Sequence, residues 1–159
     1  MKNFNKLAIF LILLVLSGCN SFSNNSASPE GLPGKQPPNI QIQVSGKDYK
    51  TIIGSYCWDG TCVDKVGPQD LVKGETPIPV QGDKINFVMY YSPKPDDVHL
   101  KHISSNGKAQ DIKVTADHFT APKEKGVYLY SYDVLWPGGE SPANPSKGSA
   151  SYAFVLEVK

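Results

Sequence analysis

The sequence has 159 residues, with sixteen lysines, no arginine and fifteen acidic residues, for a formal net charge of +1. A near-neutral chain without arginine lacks both the basic patch and the planar fork that read phosphates, which excludes nucleic acid as a partner. After an N-terminal leader and linker, about 120 residues remain, enough for one hydrophobic core and not for two.

The chain opens with Lys2 and Lys6 as its only early charges, and residues 7–16 then run without a polar side chain. A basic start followed by about 7–15 apolar residues is the secretory pattern. The run is shorter than the roughly 20 residues that a membrane-spanning helix needs. Leu16-Ser17-Gly18-Cys19 resembles the lipobox of bacterial lipoproteins. That resemblance implies removal of residues 1–18, a diacylglycerol on the Cys19 thiol and a further acyl chain, such as palmitate, on the new amine. Two chains anchor a protein stably where one is marginal, so the expected location is the extracytoplasmic face of a cell membrane. Residues 19–38 are rich in Ser, Asn, Gly and Pro. They carry too little apolar surface to offset the entropy of ordering, and a flexible lipid-anchored tether is expected.

From residue 39 onward the dominant hydrophobic period is two. Ile40, Ile42 and Val44 alternate with glutamines, and Ile85, Phe87, Met89 and Tyr91 share one parity. Val98 with Leu100, Ile112 with Val114, and the long series Ala150, Tyr152, Phe154, Leu156 and Val158 repeat the pattern. Alternation of this kind predicts half-buried strands, and turn signals such as Asp59-Gly60, Asn106-Gly107 and Pro137-Gly138-Gly139 separate them. No window predicts a helix of any length. The expected fold class is all-β, a sandwich formed by a single domain over 39–159.

Residues 79–87, Pro-Val-Gln-Gly-Asp-Lys-Ile-Asn-Phe, resemble the bend and second strand of an immunoglobulin-type domain, and Glu124-Lys-Gly-Val-Tyr128-Leu-Tyr130 resembles its sixth-strand signature. The resemblance covers about Glu75 to Lys159. It implies that the Tyr128 hydroxyl bonds back to the nearby backbone, as a tyrosine corner does. Tyr130 stands where antibody-type domains place a core cysteine, so the likeness is to the broad immunoglobulin-like sandwich. Residues 39–73 are expected as extra β-structure on the N-terminal side.

Cys57-Trp58-Asp59-Gly60-Thr61-Cys62 predicts a two-residue hairpin, because Asp-Gly suits the positive φ angles of a type I′ turn. Trp58 and Thr61 would then flank the turn, with Cys57 and Cys62 as the next pair, where Cα atoms approach to about 4.5 Å. That separation accepts a disulfide, and an exported protein reaches a compartment that allows one. The spacing fits neither a zinc site nor a Cys-x-x-Cys redox pair. Trp58 on such a tip is either a presented binding anchor or a lid over the core.

Catalytic signals are weak. Ser105-Asn106-Gly107-Lys108 matches Ser-x-x-Lys but sits in a turn without its companion motifs. His99 and His102 lie near Asp96 and Asp97, yet their odd spacing on a strand points the rings to opposite faces. No enzyme, cofactor or metal is expected. Recognition is assigned instead to the segment between the last two strands, with Pro137, Gly138, Gly139, Glu140 and Asn144 as candidate contacts. The row Tyr128, Tyr130, Tyr132 and Trp136 is assigned to the core, with Trp136 expected to reach the surface. The function expected is a non-catalytic, lipid-anchored binding module whose partner is an envelope or extracellular protein or polymer. A ligand- or metal-sensing accessory lipoprotein and a surface protease inhibitor are the alternatives.

Overall fold

A computed structural model describes residues 31–141 and 144–159. Strands β1 (Ile40–Val44), β2 (Lys47–Lys50), β3 (Ile52–Trp58) and β4 (Thr61–Val63) precede a single helical turn, α1 (Pro68–Leu71). Strands β5 (Ile78–Val80), β6 (Lys84–Met89), β7 (Asp97–Ile103), β8 (Ala109–Ile112), β9 (His118–Thr120), β10 (Gly126–Ser141) and β11 (Asn144–Val158) follow. They form two sheets packed as a sandwich, ordered β2-β1-β6-β9 and β4-β3-β11-β10-β7-β8. All pairings are antiparallel except β5, which runs parallel to β11.

The period-two pattern becomes the core. Ile40, Ile42, Val44, Ile85 and Phe87 are buried on one inner face. Tyr130, Tyr132, Val134 and Trp136 of β10 and Ala150, Tyr152, Phe154, Leu156 and Val158 of β11 are buried on the other. Rings close the gap between the layers: Phe87 stacks on Tyr132 with centroids 3.8 Å apart. Phe119 of β9 meets Tyr130 at 5.2 Å. Where an antibody-type domain joins its sheets by a disulfide, aromatic contacts do so here. Burial pushes the phenol pKa values of Tyr130 and Tyr132 up to about 12, because an apolar surrounding disfavours the phenolate.

Between β5 and β6 the chain changes sheets at Gln81-Gly82, with Gly82 at φ 67°. The Asp83 carboxylate holds that corner, accepting from the Gln81 amide at 2.6 Å and the Ser45 hydroxyl at 2.9 Å. These donors lower its pKa. At the start of β10 the Tyr128 hydroxyl donates to the Glu124 carbonyl at 2.9 Å, the contact that the sixth-strand resemblance implies.

The β-structure expected over residues 39–73 is present and joins both sheets: β1 pairs with β6 in one, and β3 pairs with β11 in the other. One expectation about the N-terminal half needs correcting: the tether does not reach residue 38. Leu32 and Pro37 are buried, and the carbonyls of Pro33, Gly34 and Pro38 accept hydrogen bonds from Tyr91, Trp58 and Tyr152. Residues 31–38 are a docked arm. Cys19, the signal segment and the rest of the tether lie outside the described residues.

Candidate functional site

The hairpin at residues 57–62 forms as its dipeptide requires. Asp59 and Gly60 have φ of 48° and 75°. Trp58 pairs with Thr61 and Cys57 with Cys62, and the two cysteines form a disulfide across a Cα separation of 4.0 Å. The turn does not present Trp58. That ring is 2 % exposed, and its indole N–H donates to the Gly34 carbonyl at 3.0 Å. Trp136 is also 2 % exposed and donates to the Pro93 carbonyl at 2.8 Å. Neither tryptophan is a surface anchor, and the expectation that Trp136 reaches solvent fails. Both indoles can be buried because a backbone carbonyl satisfies each polar edge.

The two indoles meet edge-to-face at 5.0 Å, and Tyr91 joins them at 5.8 and 5.9 Å. Gly148 lies opposite both Trp136 and Trp58 in the strand register. A Cβ there would stand 2.6 Å from Leu32 Cδ1 and 2.7 Å from Trp58 Cε3, so only glycine leaves room for the arm and the indole together. This aromatic clamp thus joins four pieces of chain: the arm, the β3–β4 tip, the segment after β6 and the outer part of the last hairpin at Trp136 and Gly148.

Beyond the clamp the last hairpin continues alone. β7 pairs with β10 only as far as Leu135, and β3 pairs with β11 no earlier than Gly148. Past those points β10 and β11 pair only with each other among the described strands, Pro137 opposite Ser146 and Ser141 opposite Asn144, with register shifts between. The segment expected to be a loop is therefore largely a two-stranded ribbon. Pro137 and Gly138 are exposed in it. Gly139 and Glu140 lie in β10 and Asn144 opens β11; their side chains fall outside the described residues.

The outer face of the larger sheet carries a polar patch that the sequence did not mark. Asp133 accepts from Lys101 and from the Ser131 hydroxyl, each at 2.9 Å, and its proximity raises the Lys101 pKa. His99 lies 3.1 Å from Asp97 on the same face, while the His102 ring packs against Tyr128 and Tyr130 on the inner side. The two histidines occupy opposite faces, as their odd spacing implies. His99, Asp133 and Ser151 sit opposite one another across three strands. The carboxylate stands between imidazole and hydroxyl, and Ser151 donates to the Ser55 carbonyl instead. That geometry gives no proton path from serine to histidine. Ser105 and Lys108 belong to a tight turn closed by the Ser104 amide on the Lys108 carbonyl. Among the described residues no three His, Cys, Asp or Glu side chains group as a metal site.

Comparison with known proteins returned no matching family model, curated protein or solved structure.

Proposed function

We propose that the chain is a bacterial lipoprotein, held by lipid on Cys19, whose immunoglobulin-like domain binds an extracytoplasmic protein through the β10–β11 ribbon. The carrying observation is the ribbon itself, a two-stranded extension whose outer edges meet no other described strand. Such edges offer backbone donors and acceptors to an incoming extended segment. A ribbon of this kind alone is marginal in water, and the clamp at its base supplies the support.

Strand order supports the immunoglobulin-like reading. The β8-β7-β10-β11 run, the parallel β5 edge on β11 and the opposing β1-β6-β9 sheet correspond to the arrangement such a domain uses. The anchor reading narrows where the partner lies. On the lipobox reading residues 19–30 lead from Cys19 to the arm at Gly31, and a fully extended chain of those twelve residues spans at most about 40 Å. Leu32 packs at Gly148, where the ribbon begins, so the reading puts the ribbon's base within that reach of the bilayer. The partner is then a membrane-proximal protein segment.

The test is crosslinking on intact cells with two forms of the protein. In one, residues 137–147 are replaced by Asn-Gly, which closes Trp136 onto Gly148 through a type I′ turn. The native form captures one enriched envelope protein, and the shortened form, with an unchanged melting temperature, does not. Equal capture by both would remove the ribbon from the interface.

A further inference from the structure

A second feature stands apart from the ribbon and shares no residue with it. Between the sheets opens a pocket of about 250 Å³, lined by Ile40, Phe87, Met89, Val98, Pro95 and Tyr132, with Lys94 and Asp117 contributing charge. An engineered apolar cavity of about 150 Å³ holds benzene, so this volume takes a single ring or a branched chain bearing a polar group.

Tyr132 is the unexplained member of the lining. It is 5 % exposed, and its ring lies flat on Phe87. The hydroxyls of Tyr91, Tyr128 and Tyr152 each donate to a backbone carbonyl. Among the described residues the Tyr132 hydroxyl has no hydrogen-bond partner. Tyr130 shares that property but lines none of the described pockets. The Tyr132 hydroxyl is not sealed off, since His118 Nδ1 alone is a fully buried side-chain polar atom without a partner among the described residues; it opens on the pocket, and phenylalanine would keep the stack on Phe87 without it. A group that enters the pocket and pairs with the hydroxyl accounts for its presence.

The charges select the group. Lys94 donates to the Met89 carbonyl, which holds its ammonium beside the pocket. The Asp117 side chain is 72 % exposed and stands 3.6 Å from the His118 ring. Opposite charges around an apolar floor complement a small zwitterion with an apolar body. We propose that this pocket binds a free α-amino acid with a branched or aromatic side chain, its ammonium toward Asp117, its carboxylate toward Lys94 and Tyr132, and its side chain against Phe87, Met89 and Val98.

The experiment is calorimetric titration of the full-length protein in detergent micelles with L-leucine and L-phenylalanine. 4-Methylpentanoate, which lacks the amine, and 3-methylbutylamine, which lacks the carboxylate, serve as controls. Saturable binding of at least one amino acid is expected, with both controls weaker. Tyr132→Phe should weaken binding about tenfold, the worth of one hydrogen bond, with a melting temperature equal to or above the native value. Asp117→Asn should weaken the amino acid while leaving 4-methylpentanoate unchanged. Absence of heat for both amino acids at tens of millimolar would overturn the proposal and leave the pocket to water. Equal affinity for the controls, or unchanged affinity in Tyr132→Phe, would overturn it as well. Shortening the ribbon leaves this titration intact, so the two readings fail separately.

Discussion

Replacing Trp58 by alanine should destabilise the protein more than removing the disulfide beside it. Trp58 is 2 % exposed, packs against Trp136 and Tyr91, and donates to the arm at Gly34. Truncating a buried tryptophan costs about 3–5 kcal/mol. The Cys57–Cys62 bridge spans a sequence separation of five. For so short a loop the chain-entropy relation gives about 2 kcal/mol. With about 4 °C per kcal/mol for a domain of this size, Trp58→Ala should lower the melting temperature by about 12–20 °C. The paired variant Cys57→Ser/Cys62→Ser should lower it by about 8 °C. Trp58→Phe should fall nearer the native protein, since Gly34 is exposed and its carbonyl regains water. Thermal melts followed by circular dichroism, with urea titrations for the free energies, measure all three. Limited proteolysis adds a local readout, because Trp58→Ala should expose the chain at Lys35 and the serine pair should not. If the serine pair is the less stable, the bridge holds the tip and the clamp does not.

Gly148→Val should cost about 3 kcal/mol in urea titration, since its branched side chain would collide with Leu32 and Trp58; a loss below about 1 kcal/mol would mean that the arm yields freely. Tyr128→Phe removes the bond to the Glu124 carbonyl and should cost about 1 kcal/mol by the same titration. Alkali should unfold the protein. The folded pKa values of Tyr130 and Tyr132, about 12, lie above the unfolded value near 10. Their contribution is complete below about pH 10 and is lost as pH rises toward 12. Phenolate absorbance and circular dichroism should therefore change together in that window, and phenolate signal from these two rings in a still-folded protein would contradict it.

Much of the fold was legible because it rests on parity and on turn chemistry. Alternation located the faces of β1, β6, β10 and β11, and Asp59-Gly60 specified the turn that brings Cys57 to Cys62. Parity places a side chain on a face without saying how completely that face is covered, so Trp58 and Trp136 could be assigned to the hairpins and still be misjudged for exposure. The arm was hidden for a different reason. Its composition is that of a linker, and its attachment uses the carbonyls of Pro33, Gly34 and Pro38, acceptors that every residue carries. The ribbon was missed because Pro137, Gly138 and Gly139 read as loop-formers, whereas paired strands accommodate such residues at register shifts. Tyr132 stood in the sequence as one more aromatic of a core row; its place in the lining of the pocket, with a hydroxyl that pairs with no described residue, sets it apart.

The last strand, β11, gives its partners a particular order of events. Three separate segments pair with it: β10 along its length, β3 over its middle and β5 near its end. Synthesis proceeds from the N-terminus, so β3 and β5 emerge long before the strand that completes their ladders. Neither can settle into the larger sheet until the fifteen residues of β11 exist. Assembly of that sheet is therefore a late, long-range event, which slows folding relative to a sheet of consecutive hairpins. A chain interrupted within β11 would lose the pairing of three segments at once, making that strand the one on which the whole sheet becomes cooperative.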